Sequence, residues 1–147
     1  MKLAIGSDHG GFRLKEAIKT YLLDYNYEVT DFGTESEDSC DYPDFALPVA
    51  EAVAKGEYDR GILICGTGIG IGIVANKVKG VRAALCHDTF SAEACRTHND
   101  ANILTMGERI VGEGLALKIV ETFLNSDFEG GRHQRRVDKI KALEENQ

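Results

Sequence analysis

The feature that most constrains this chain is the run Ile62-Leu63-Ile64-Cys65-Gly66-Thr67-Gly68-Ile69-Gly70-Ile71-Gly72. An unbroken apolar segment suits a strand buried on both faces, as in parallel sheets covered by helices. It runs into a glycine-rich turn and then a helical stretch. The rest of the chain repeats the alternation. Strands are expected at Lys2–Gly6, Tyr27–Phe32, Gly61–Cys65, Val81–Cys86 and Ile103–Met106. Helices are expected over Phe12–Leu23, Gly70–Lys77, Ser91–Thr97, Gly112–Leu124 and the tail. One more is expected at Val49–Lys55, with Pro48 holding its start near that position. The pattern predicts an α/β chain with about five parallel strands and helices on both faces. At 147 residues, a single domain over 1–147 is expected.

In such a sheet a ligand binds at the carboxyl ends of the strands, where strand order reverses. If strands one and three are neighbours, the loops Ser7–Gly11 and Cys65–Gly70 face each other there. The formal charge of −7 argues against a sequence-independent grip on nucleic acid but leaves room for a small anion in a local basic pocket. The N-terminus MKLAIGSDHGG has no apolar run long enough for a signal or a membrane span, so a cytoplasmic protein without membrane contact is expected. The four cysteines lack CxxC and zinc-finger spacing, and reduced thiols with no metal are expected.

The glycine loop admits two readings. The dinucleotide fingerprint GxGxxG fails from Gly66 and from Gly68, where Ile71 and Ile73 stand in the third position. GIGIVA from Gly70 fits the looser GxGxxA form, with Asp88 at a suitable distance, but begins five residues after the strand. The other reading is a nest of backbone N–H groups able to hold a phosphate or a developing oxyanion. Cys65 beside it becomes a candidate base or nucleophile. Cys86 has no such nest, and Cys40 and Cys95 have no such setting; these three, with His87, are read as structural.

Other polar groups join this picture. Asp8 and His9 leave the first strand at the same edge, ahead of Gly10-Gly11. His98 next to Asn99 offers an acid beside an amide donor. Arg132 and Arg136 stand four apart, so a helix puts two guanidinium forks on one face, suited to phosphate. Arg109 could add a third cation. His133 and Arg135 fall on other helix faces and are weaker candidates.

Taken together, IGSDHGG, DYPD at 41–44, CGTGIG at 65–70, HNDAN at 98–102, MGER just after and the tail arginines resemble the type B ribose-5-phosphate isomerases, in the superfamily that includes galactose-6-phosphate isomerase subunits. The resemblance implies a three-layer, Rossmann-like α/β/α sandwich and interconversion of ribose 5-phosphate and ribulose 5-phosphate without a cofactor. It implies Cys65 as the proton-abstracting base, and Gly66, Thr67, Gly68, Ile69 and Gly70 as the anion hole. His98 would open the sugar ring, with Asp8 nearby. His9, Arg109, Arg132 and Arg136 would hold the phosphate, and Asn99 the sugar. Some members replace the cysteine and use a later glutamate; nothing acidic stands between 66 and 76 here, so this is the cysteine variant. The resemblance also implies a homodimer or dimer of dimers, with the His98 region supplied to each site by the partner.

The residues fit that chemistry on their own terms. Moving a carbonyl from C1 to C2 takes a proton from C2 and returns one to C1 through an enediolate. Backbone donors at 66–70 can stabilise its oxygen by roughly 3–4 kcal/mol per well-placed group. Thr67 is a candidate for relaying a proton. Two rivals share the same residues: an isomerase of a six-carbon sugar phosphate such as allose or galactose 6-phosphate, and a non-catalytic nucleotide- or phosphate-binding module.

Overall fold

The computed structural model describes residues 1–147. In chain order the elements are β1 (Lys2–Ser7), α1 (Phe12–Asp24), β2 (Glu28–Asp31), α2 (Tyr42–Ala54), β3 (Arg60–Cys65), α3 (Ile69–Ala75), β4 (Ala83–Leu85), α4 (Thr89–Thr97), β5 (Ile103–Gly107), α5 (Glu113–Asn125) and α6 (Arg132–Glu145). A 3-10 turn, His9–Gly11, joins β1 to α1. All strand pairs are parallel, in the order β2-β1-β3-β5-β4. From β1 the chain steps one way to β2 and then builds the rest on the other side. The order therefore reverses between β1 and β3, whose carboxyl ends flank a crevice.

Side chains of a strand alternate between faces, and this sorts the core into two layers. Leu3 and Ile5 of β1, with Ile62 and Ile64 of β3, pack under α1 and α5 against Leu14, Ile18, Ile119 and Phe123. Ala4, Leu63 and Cys65 face the other way, against Val49 and Val53 of α2 and Ile71 of α3. β3 is covered on both faces, which is why its sequence shows no polar alternation. The result is the three-layer sandwich expected. No helix is long and apolar enough to cross a membrane.

One helix departs from expectation. α2 begins at Tyr42, with Pro43 in its first turn, and Pro48 lies inside it. Proline in a helix interior removes one hydrogen bond to the carbonyl four residues back, here that of Asp44. Asp44 and Pro48 are both exposed, so water can take that carbonyl. Ala46, Val49, Ala50 and Val53 meanwhile form one buried stripe, and its burial outweighs the local penalty. β4 is only three residues, shorter than the Val81–Cys86 expected.

Lys15 of α1 is fully buried, yet its Nζ sits 2.6 Å from Asp31 and 2.9 Å from Glu16. Burial alone would raise the Asp31 carboxyl. Hydrogen bonds from Lys15, Lys19 and the Gly33 N–H hold it below the usual carboxylate range instead. This network ties α1 to the edge strand β2.

Candidate active site

Cys65 is the last residue of β3. The chain turns into α3 through Gly68, whose φ of 77° is left-handed. That turn brings the Gly68 N–H to the Cys65 sulfur, at 3.1 Å. The Ile69 N–H donates to Thr67 Oγ1 at 3.3 Å, and the Gly68 carbonyl accepts from Thr105 Oγ1 at 3.1 Å. A methyl group at position 68 would come within 2.7 Å of both Leu85 and the Met106 backbone, so space and φ both demand glycine. Cys65 is 5% exposed, with apolar neighbours behind it and the loop amide in front.

The β1 loop meets this turn directly. A methyl on Gly10 would lie 3.2 Å from the Gly66 nitrogen. Asp8 is buried, and its Oδ1 accepts the Gly10 N–H at 2.9 Å, capping the 3-10 turn within the crevice. The Cys40 N–H donates to His9 Nδ1 at 3.2 Å, which leaves Nε2 as the donor of a neutral ring. Asp8, His9, Cys40, Asp41 and Tyr42 line a cavity of about 480 Å³. The Tyr42 ring also covers Gly70, where a methyl would be 2.7 Å away. Arg109 donates its backbone N–H to the Gly66 carbonyl at 3.1 Å, and its guanidinium lies over Gly66. His87 Nε2 accepts the Gly107 N–H at 3.0 Å, the structural role expected of it. Cys86 is buried, and its contact with Cys95 together with burial pushes its thiol well above the ordinary range.

A second cluster forms elsewhere. His98 follows α4 and stacks on His133 of α6, with ring centroids 4.4 Å apart at 15°. His133 Nε2 lies 3.8 Å from Glu129. Burial, then the neighbouring His98 and Arg132, pushes His133 below the usual imidazole range. Arg132 and Arg136 are exposed on the first two turns of α6, on one face as their spacing predicts. The Glu129 N–H to Thr97 carbonyl bond, 3.1 Å, fastens the tail segment to α4. Stacked rings send their in-plane lone pairs side by side. A ring nitrogen from each histidine and a Glu129 carboxylate oxygen lie within 4.8 Å of one another, close enough to share a proton or a cation.

These two clusters lie at opposite edges of the sheet. His98 and Asn99 precede β5, while Cys65 pairs with Gly107 at its end. Four residue steps separate the two levels, about 13 Å along the strands. One chain thus brings together Asp8, His9, Cys65 to Gly70 and Arg109. It brings together His98, Asn99, Arg132 and Arg136 separately. His133 carries more of the second cluster than its helix position suggested. Its partner lies 35 positions away on another element, and no local pattern signals that contact.

A doubly wound parallel sheet with a cysteine-bearing glycine loop at its switch point defines a small-ligand α/β protein of Rossmann-like build. A sequence model described as Ribose/Galactose Isomerase matches residues 3–140, and the chain belongs to this family. The chain is 52% identical over 144 residues to ribose-5-phosphate isomerase B of Escherichia coli, covering 98% of this chain and 97% of the relative. The structure of ribose-5-phosphate isomerase B from Clostridium thermocellum superposes with a TM-score of 0.98 at 59% identity, covering 99% of each chain. The Mycoplasma genitalium ribose-5-phosphate isomerase B structure with bound ribulose-5-phosphate superposes at 0.96, with 46% identity over 99% of this chain and 97% of that one.

Proposed function

We propose that this chain interconverts ribose 5-phosphate and ribulose 5-phosphate, with Cys65 as the base. It is an aldose–ketose isomerase. The observation that carries the reading is the Cys65 sulfur facing the Gly68 amide in the crevice shared with Asp8 and His9. The likeness to a relative that holds ribulose-5-phosphate supports the substrate.

The thiolate is the reactive form of cysteine. It takes the proton from C2 of the open-chain aldose and becomes a thiol. The electron pair forms the enediolate, whose oxygen meets loop N–H groups, and a proton is then returned at C1. Thr67 relays a proton between the two oxygens. Ring opening comes first: His98 moves the anomeric hydroxyl proton to the ring oxygen. Arg109, Arg132, Arg136 and His9 hold the phosphate, and Asn99 the sugar hydroxyls. Remote binding energy of this kind aligns the reacting carbons.

His98 and the tail arginines can reach Cys65 only from a second copy of the chain, so the functional unit is a homodimer, or a dimer of dimers, with shared sites. An apolar strip beside the glycine loop supports that assembly: Ile69, Ile73 and Leu85 are each about half exposed along α3 and β4. Residence in the cytoplasm fits a metabolic isomerase.

The test is turnover of ribose 5-phosphate in heavy water, followed by NMR. The wild type should yield ribulose 5-phosphate with deuterium at carbon. Cys65→Ala should lose at least about 10²-fold in kcat, the scale of a positioned general base. A Cys65→Ala enzyme that turns over normally removes the base assignment.

A further inference from the structure

We propose a second anion-binding site, built for a compact phosphate-class oxyanion, in the cavity at the amino edge of the sheet where Arg60, Arg82 and Arg96 converge. This cavity has a volume of about 540 Å³ and lies at the opposite edge from Cys65. Its arginines come from three places: the first residue of β3, the segment before β4, and α4.

Their hydrogen bonding is incomplete in one consistent way. Arg60 is 9% exposed and makes no ion pair; only Nη1 is engaged, with the Phe123 and Leu124 carbonyls at 2.6 and 3.2 Å. Arg96, 7% exposed, uses Nη1 on Asp100 and the Ala101 carbonyl and Nε on the Ser126 carbonyl. Arg82 uses Nε and Nη2 on the Asn99 and Asp100 carbonyls and the Asp100 carboxylate. Capping the end of α5 therefore accounts for one edge of each fork near that helix. Arg60 Nε and Nη2, Arg96 Nη2 and Arg82 Nη1 have no protein partner. They are not sealed either, because Ser7 Oγ is the only fully buried side-chain polar atom without a bond. These nitrogens belong to three residues that all line the cavity.

Charge points the same way. Two carboxylates, Asp59 and Asp100, line the cavity with the three guanidinium groups, and Asp127 adds a third charge near Arg60. Asp100 serves both Arg82 and Arg96, and one Asp59 oxygen is taken by the Lys2 N–H at 2.7 Å. Arg60 and Arg96 crowd the same Phe123 ring, at 5.5 and 5.9 Å. Burial and the charge of Arg96 both press the Arg60 guanidinium below its ordinary value. An oxyanion with two or three oxygens would answer several free N–H groups at once and relieve the crowding.

The site is separable from the proposed substrate phosphate site, which uses His9, Arg109, Arg132 and Arg136, because none of those four lines this cavity. Calorimetric titration with inorganic phosphate, at ionic strength fixed with chloride, tests it. An Arg132→Ala/Arg136→Ala protein should still bind about one phosphate per chain. Adding Arg82→Gln should raise that Kd about tenfold or more, the effect of losing a charge-assisted bond. Arg82→Lys, which keeps charge but not the fork, should fall between. Loss of all phosphate binding in the Arg132/Arg136 variant, or a residual Kd that ignores both Arg82 changes, overturns the proposal. Equal binding by the wild type and the Arg132/Arg136 variant, still dependent on Arg82, supports this site and counts only against the tail arginines as substrate ligands.

Discussion

Gly68 concentrates the design of the site in one residue. It turns the backbone at positive φ, gives its N–H to Cys65, and leaves no room for a methyl beside Leu85 and Met106. Gly68→Ala should destabilise the fold by about 2–4 kcal/mol, adding left-handed strain to overpacking. Displacing the amide should also lower kcat by about 10²-fold, the scale of a lost oxyanion donor. Denaturant melts and steady-state kinetics read the two effects separately. His133 makes a second prediction. Its folded value lies below the unfolded one of about 6.5, so its contribution is fully present above that pH and lost as pH falls toward the folded value. The melting temperature of the wild type should therefore drop faster than that of His133→Asn between pH 7.5 and 5. Parallel pH curves for the two proteins contradict this. Cys65 and the glycines were legible in the sequence because a strand end and a left-handed turn leave local marks. His133 was not, because its stacking on His98 is purely tertiary.

Among the elements, alternation of apolar runs gave the right number of strands, while the neighbouring of β1 and β3 was a condition that the sheet order meets. Boundaries failed where tertiary burial overrode local preference, as with Pro48 inside α2. The junction of α1 with β2 shows the same override in charge. A fully buried lysine looks wrong in the sequence of α1, and only the fold brings Asp31 to 2.6 Å. Removing Asp31 leaves the buried Lys15 cation with Glu16 alone as its counter-charge. Asp31→Asn should cost about 3 kcal/mol in urea unfolding, while Glu37→Gln, at an exposed ion pair with Arg13, should change stability by less than about 1 kcal/mol. Similar losses from both would mean that burial does not set the value of the Lys15 pair.

For the molecule as a whole, a parallel sheet imposes a geometric condition on the proposed site. Every strand ends at the Cys65 edge, and every helix that returns to start a strand ends at the other, so His98 and Cys65 stand at opposite ends of the sheet of one chain. The motifs read in sequence hold no trace of this, since order along the chain says nothing about which copy supplies a residue. Complementation tests the proposed sharing of the site directly. Cys65→Ala and His98→Asn chains, each inactive as a homodimer, are mixed in equal amounts, unfolded and refolded together. Half of the dimers formed are mixed, and each holds one doubly damaged site and one site with both residues intact. Activity should return to about a quarter of the wild-type value. A site confined to one chain has no intact copy in any of these dimers, and the mixture would stay as inactive as its parents.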